Sequence, residues 1–145
     1  MKIAKQSGMT LIEIIVSITI IAVIAAGLFA VSNYIDEQIK IKKTQATIQI
    51  LVTAIEQYYD FYRAYPSQIT SDLYGKLCES PEAKKILDQM DRKALKKIGS
   101  SAFFVDAWGN HLKYTYQAEW NFPVIESNGP DKAIGTEDDI SSKNL

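Results

Sequence analysis

The chain reads as an α+β protein in which one long N-terminal helix packs on a small antiparallel sheet. Three observations lead there. Met9 to Val31 is an almost unbroken apolar run. Asn33 to Tyr62 contains neither proline nor glycine and repeats apolar residues every three or four positions, the stripe of an amphipathic helix. After Gly99, short runs rich in aromatic and β-branched residues alternate with turn formers, which is the rhythm of strands. A chain of 145 residues is the length of a single domain, and 47% apolar with 23% charged residues suits a folded one rather than a disordered or multi-span chain. The 16 basic and 17 acidic residues leave a net charge of −1, so the total charge gives no sign of nucleic-acid binding. With Cys78 as its one cysteine and His111 as its one histidine, the chain has no intramolecular disulfide and no paired imidazoles.

The 23 positions from Met9 to Val31 are broken only by Thr10, Glu13, Ser17 and Thr19. As a helix they extend roughly 34 Å, enough to cross a hydrocarbon layer about 30 Å thick. Residues 1–8 carry Lys2 and Lys5 and no acid, which predicts a cytoplasmic N-terminus and an exported remainder. A cleaved secretory signal would have a shorter apolar stretch ending in a small-residue site, and no Ala-x-Ala site ends this one cleanly. A carboxylate inside a span is rare, because it costs about 2.5–3.5 kcal/mol at the helix centre. Glu13 lies near the helix end, so snorkelling to the headgroups is one reading of it.

The basic leader ending in Gly8, followed by Met9-Thr10-Leu11-Ile12-Glu13 and an apolar helix, resembles the leader of type IV prepilins and type II secretion pseudopilins. The resemblance implies that a prepilin peptidase cuts between Gly8 and Met9 and N-methylates Met9. It divides the chain into a leader of residues 1–8, a transmembrane and filament-core helix of 9–31, and a periplasmic domain of 32–145. It also implies a second reading of Glu13, as the partner of the Met9 amino group on a neighbouring subunit. A buried unpaired charge is costly, so such a pair would set the axial register of a filament.

The helix is expected to continue through Tyr62, burying Ile41, Ile48, Leu51, Ile55, Tyr58 or Tyr59, and Tyr62, with Lys40, Lys42, Lys43, Gln45, Gln49, Gln57 and Asp60 solvated. Any bend in the apolar half should localise to Gly27, and Pro66 should end the helix. Tyr65-Pro66-Ser67 resembles the Tyr-Pro-Thr that follows the long helix in major pseudopilins. Ser80-Pro81-Glu82-Ala83 is a helix start with a serine cap and proline at the first position. Lys96, Lys97 and Gly99 read as a helix end, so one or two short helices are expected between Asp72 and Ile98. The basic group Lys84, Lys85, Arg92, Lys93, Lys96 and Lys97 lies among Glu82, Asp88 and Asp91 and is expected as an exposed, ion-paired face.

Strands are expected at Ala102 to Val105, Leu112 to Tyr116 and Phe122 to Glu126. Asp106-Ala107-Trp108-Gly109-Asn110 should form a tight turn with positive φ at Gly109 or Asn110. Major pseudopilins carry Asp-Pro-Trp-Gly-Asn at this place, and Ala107 stands here for the proline. His111, with no second histidine or cysteine nearby, is expected at a strand edge.

Ser127 to Ile140 is a loop by its two glycines and proline. It gathers Asp131, Glu137, Asp138 and Asp139, four carboxylates within nine positions, which repel unless something neutralises them. A hard cation would do so, and Ca²⁺ accepts six to eight oxygens at about 2.3–2.6 Å in irregular geometry. The spacing is not that of an EF-hand. It does resemble the calcium-binding Ser-x-Gly-x-Asp-Gly-x-x-Gly…Asp-Ile loop of major pseudopilins, with Lys132 at the position of a glycine. Asp131 and Asp139 are then the first side-chain ligands, Asp138 the next, and backbone carbonyls near Ser127 complete the shell. A chain whose single Cys78 cannot pin its last loop by a disulfide would use such a metal clip instead.

The resemblance implies a structural subunit and not an enzyme. No Ser/His/Asp set, zinc spacing or phosphate-binding glycine loop stands against that. It further implies an inner-membrane, single-pass protein whose mature domain is periplasmic. Its partners would be further copies of itself in a helical filament, the prepilin peptidase, an inner-membrane assembly platform and minor pseudopilins, with no nucleic acid. A type IV pilin for adhesion, motility or DNA uptake, or a membrane-anchored periplasmic binding protein, are the competing readings.

Overall fold

The structure, a computed structural model, describes residues 10–67, 72–99 and 101–145. Contacts divide the chain into two compact units, Met1–Asp36 and Glu37–Leu145. Helix α1 runs from Leu11 to Tyr62, 52 residues, and remains helical through Gly27, so the expected point of weakness does not interrupt it. In the first unit the large apolar side chains from Leu11 to Val31 are 46–77% exposed, and the most apolar stretch of the helix has a mean hydropathy of 2.9 with none of it buried inside the chain. The polar residues of this stretch are satisfied locally: Ser17 Oγ donates to the Glu13 carbonyl at 2.7 Å and Thr19 Oγ1 to the Ile15 carbonyl at 2.7 Å. Back-bonding of this kind keeps hydroxyls paired where water is absent.

In the second unit the C-terminal half of α1 supplies the core, with Ile48, Leu51, Ala54, Ile55 and Tyr58 buried. Two residues outside the expected stripe join them, Thr44 and Thr47. Thr44 is tolerated because its Oγ1 accepts the Ala107 amide at 3.1 Å, and a buried hydroxyl with a partner carries little penalty. Tyr62 departs the other way and is 43% exposed, because the helix ends there. Arg63 takes φ 54° and its amide donates to the Tyr59 carbonyl at 2.7 Å, a left-handed cap that stops the helix three residues before Pro66. Pro66 itself is buried, and its carbonyl accepts the Tyr114 hydroxyl at 2.9 Å.

Helices α2 (Leu73–Cys78) and α3 (Pro81–Leu87) follow. Ser80 caps α3 as expected, accepting the Ala83 amide at 3.4 Å. The helix end expected at Lys96, Lys97 and Gly99 is not there. A 3-10 turn at Arg92–Ala94, capped by Asp91, leads into strand β1, Leu95–Ile98. β1 pairs antiparallel with β2, Ser101–Phe104, with Leu95 opposite Phe104. Gly99 has φ 61°, a conformation common to helix C-caps and hairpin turns. The local signal therefore served either structure, and pairing with β2 decided between them. The basic group is exposed as expected, but the ion pairs seen among the described residues lie elsewhere, at Lys40–Glu37, Arg63–Asp60 and Lys76–Glu79.

The second sheet has the order β3-β4-β5 and is antiparallel throughout. Its strands are β3 (Lys113–Thr115), β4 (Val124–Ser127) and β5 (Ile140–Ser141). Tyr114 faces Ile125 and both are buried, while Lys113 stands opposite Glu126. Val105 and His111 form a bridge across the 106–110 turn. His111 is exposed and stacks on Phe103 at 4.6 Å, the strand-edge position expected of it. β5 and a short 3-10 turn at Ser142–Asn144 return the chain onto β4, where Ser142 Oγ accepts the Ile125 amide at 3.0 Å.

Candidate functional site

Gly8 and Met9 lie outside the described residues. The helix start immediately after them is described. Thr10 Oγ1 accepts the Glu13 amide at 3.4 Å, and Glu13 Oε2 accepts the Thr10 amide at 2.8 Å and the Thr10 hydroxyl at 2.9 Å. This is a capping box, Thr-x-x-Glu, in which each side chain satisfies an otherwise orphaned backbone donor of the other. The pattern Thr-x-x-Glu is legible in the sequence itself, and it gives Glu13 a backbone partner besides its role as a charge. Within one chain Glu13 thus has a local role. It is exposed, and no cation lies within ion-pair distance of it among the described residues.

The acidic loop is built by turns. Gly129 has φ 64°, Lys132 φ 63° and Gly135 φ 83°. A Cβ on Gly129 would run into the Asp138 backbone carbonyl, so the close approach of the two limbs of the loop requires glycine there. Lys132, at the position where the resemblance led to an expected glycine, adopts a left-handed conformation that favours glycine. Asp138 Oδ2 accepts the Asp131 amide at 3.2 Å and Asp138 Oδ1 the Thr136 hydroxyl at 2.7 Å. The Thr136 hydroxyl, and then the Asp131 amide, hold the Asp138 carboxyl below its ordinary pKa against the opposing effect of burial. Asp131 Oδ1 accepts the Ala133 amide at 2.7 Å. Asp139 Oδ2 accepts the Gly135 amide at 2.7 Å, while its Oδ1 is buried with no hydrogen-bond partner.

Asp131 and Asp138 are therefore joined across the loop, and Asp139 reaches toward its tip at Gly135. Among the described residues no three acidic, histidine or cysteine side chains converge on one point. An ion held here would draw much of its shell from backbone oxygens.

One residue the sequence reading treated only as a turn former links this loop to the rest of the domain. Asp106 is 5% exposed. Its Oδ1 accepts the Trp108 amide at 3.0 Å and the Asn110 amide at 2.8 Å. Its Oδ2 accepts Asn110 Nδ2 at 3.2 Å and the Ser127 hydroxyl at 2.7 Å. Ser127 Oγ in turn accepts the Gly129 amide at 3.2 Å. The turn is also tied to α1, through Thr44 and through Trp108 Nε1, which donates to Glu37 Oε2 at 3.0 Å. Lys40, and after it Trp108, lower the Glu37 carboxyl pKa. The hydrogen-bond network thus carries from the helix through the 106–110 turn to the first residues of the acidic loop.

Comparison with known proteins places the chain in a family. Residues 3–29 match the prokaryotic N-terminal methylation motif, and residues 31–143 match type II secretion system (T2SS), protein G. The type II secretion system core protein G of Escherichia coli (strain K12) is 32% identical over 146 aligned positions, covering 97% of this chain and 93% of that protein. The protein of the same name from Aeromonas hydrophila is 30% identical over 147 positions, covering 97% and 94%. No solved structure gives a significant match. The long apolar helix, the small antiparallel sheet, the methylation motif and the full-length similarity agree: the chain belongs to the protein G family of the type II secretion system, the pseudopilin group that its leader resembles.

Proposed function

We propose that the chain is a structural subunit of a type II secretion pseudopilus. A prepilin peptidase would remove residues 1–8, methylate the new amino group of Met9, and leave the subunit anchored in the inner membrane by one span with its sheet domain in the periplasm. Polymerisation through the N-terminal helices would then drive protein export. The observation that carries this reading is the apolar half of α1, whose large side chains remain exposed among the described residues. Such a surface needs lipid or other helices, and exchanging lipid for helix packing keeps it out of water throughout. Glu13 would exchange its local cap for the Met9 amino group of a neighbour.

Two supports favour a calcium ion in the acidic loop: Asp139 Oδ1 is buried without a partner among the described residues, and the loop's carboxylates offer hard oxygens. Asp131, Asp138 and Asp139 with backbone carbonyls near Ser127 would hold it, and the ion would supply the positive charge that lets the loop close on the sheet.

The test is co-expression of the full chain with a prepilin peptidase and the secretion apparatus, followed by intact-mass measurement and electron microscopy. The expected result is loss of residues 1–8, gain of one methyl group, and fibres. A mature protein still beginning at Met1 and remaining monomeric would overturn the reading. Glu13→Ala should insert and be processed yet assemble poorly. Glu13→Gln separates the two roles, because it retains a capping oxygen but no charge: poor fibre yield from it points to the ion pair, normal yield to the cap alone.

A further inference from the structure

The acidic loop ends in a feature that its own hydrogen bonds do not use. Ile134, at its tip, is 76% exposed, more than any other large apolar side chain described in the Glu37–Leu145 unit. The tip is held in shape by the Asp131–Ala133 and Asp139–Gly135 hydrogen bonds on either side of it, so the isoleucine is presented rather than loose. Elsewhere on the same unit a groove of about 490 Å³ runs between α1 and the 106–110 turn, with Ile39, Ala46, Ile50 and Val105 among its apolar lining. Lys40, Lys43 and Lys93 stand around it with Asp91 and Asp106, the latter buried and hydrogen-bonded within its own turn, so lysines outnumber the acids of the lining. Lys40 is paired with Glu37, whereas no carboxylate lies within ion-pair distance of Lys43 or Lys93 among the described residues. The loop carries Asp131, Glu137, Asp138 and Asp139 against one lysine, Lys132. Knob and groove are therefore complementary in polarity and in sign of charge, and a divalent cation in the loop would still leave it one negative charge.

We infer that Ile134 of one copy of this chain seats in the α1 groove of the next, with the loop acids facing Lys43 and Lys93. This deepens, and rests on, the reading of the chain as a filament subunit. Knob and groove lie on different parts of one surface, so the contact is head-to-tail, and a head-to-tail contact that does not close on itself propagates as an open helix. A single isoleucine contact is weak between free molecules. It becomes effective once packed helices hold neighbouring domains at high local concentration, so the domain alone is expected to remain monomeric.

Disulfide trapping in assembled fibres tests this. In a Cys78→Ser background, Ile134→Cys and Ala46→Cys are introduced singly and together into the full chain. Both positions are exposed, so neither change disturbs the core. The chains are expressed with the peptidase and secretion apparatus, and oxidised fibres are run without reductant. A ladder of cross-linked multimers is expected from the double variant and no cross-linked dimer from either single one, with Ile134→Asp reducing fibre yield at an unchanged melting temperature. Fibres that form but give no ladder overturn this contact and leave the filament reading standing. A cross-linked dimer from Ile134→Cys alone, whose single thiol can join only two chains, places loop tip against loop tip and overturns it as well. Absence of fibres from the unsubstituted chain overturns the filament reading itself, and the contact with it.

Discussion

Replacing Asp106 by alanine should be among the most damaging single changes in the domain. The substitution removes an acceptor of four hydrogen bonds. The Ser127 hydroxyl, 1% exposed, is left without the partner that orients it toward Gly129, and a buried unsatisfied donor costs about 1–3 kcal/mol. The Trp108 and Asn110 amides are half-buried and partly recover water, adding about 0.5–1 kcal/mol each. The total is about 2–5 kcal/mol, a large share of the roughly 5–15 kcal/mol that stabilises a domain of this size. In urea unfolding of a Glu37–Leu145 fragment, which contains the whole core, the midpoint should fall by about 2 M for a small-domain slope. Asp106→Asn, which keeps one acceptor oxygen, should fall between alanine and the native residue. A double-mutant cycle with Ser127→Ala should return a coupling of about 1–2 kcal/mol. A change under about 1 kcal/mol for Asp106→Ala, or no coupling to Ser127, would refute the idea that this carboxylate joins the turn to the loop.

Three further outcomes are expected. Lys132→Gly should raise the melting temperature, because a side chain at φ 63° carries about 1–2 kcal/mol of left-handed strain, offset in part by the added freedom of glycine when unfolded; Lys132→Ala, which keeps a Cβ, should not. Stability should fall as pH rises above about 10. The Tyr58, Tyr65 and Tyr114 hydroxyls are pushed up chiefly by burial and that of Tyr74 chiefly by its contact with Cys78. The unfolded chain then loses these protons at lower pH than the folded one and binds fewer of them in that range. Tyr114→Phe should flatten the decline in urea midpoints, and a flat native profile would contradict the burial argument. Calcium should raise the melting temperature of the fragment and a chelator reverse it. Asp139→Asn, which keeps the oxygen facing the Gly135 amide, should fold normally and lose the calcium response; an unchanged response would remove Asp139 from the ligand set.

The features set by near neighbours in the chain could be read directly from it. The helical periodicity of residues 41–58, the serine cap before α3, the turn at Asp106 to Asn110 and the strands on either side of it all rest on spacing and backbone preference within a few residues. So does the leader pattern from Gly8 to Glu13. The capping box at Thr10 and Glu13 is equally local, since Thr-x-x-Glu is written in four consecutive residues.

Where two local solutions were close in energy, only packing chose between them. Leu95 to Ile98 followed by glycine suits a helix end as well as a hairpin arm, and Phe104 opposite Leu95 selected the strand. Thr44 joined the core because the Ala107 amide, 63 positions away, arrived to meet its hydroxyl. Lys132 holds a backbone shape that its own side chain disfavours, which the closed loop imposes on it. Asp106 became the hinge between turn and loop because β4 brings Ser127 to it across 21 residues. Periodicity and turn chemistry act over one or two turns of chain, whereas hydrogen bonds between distant segments exist only once the whole domain has closed, and it is these that shape the acidic loop.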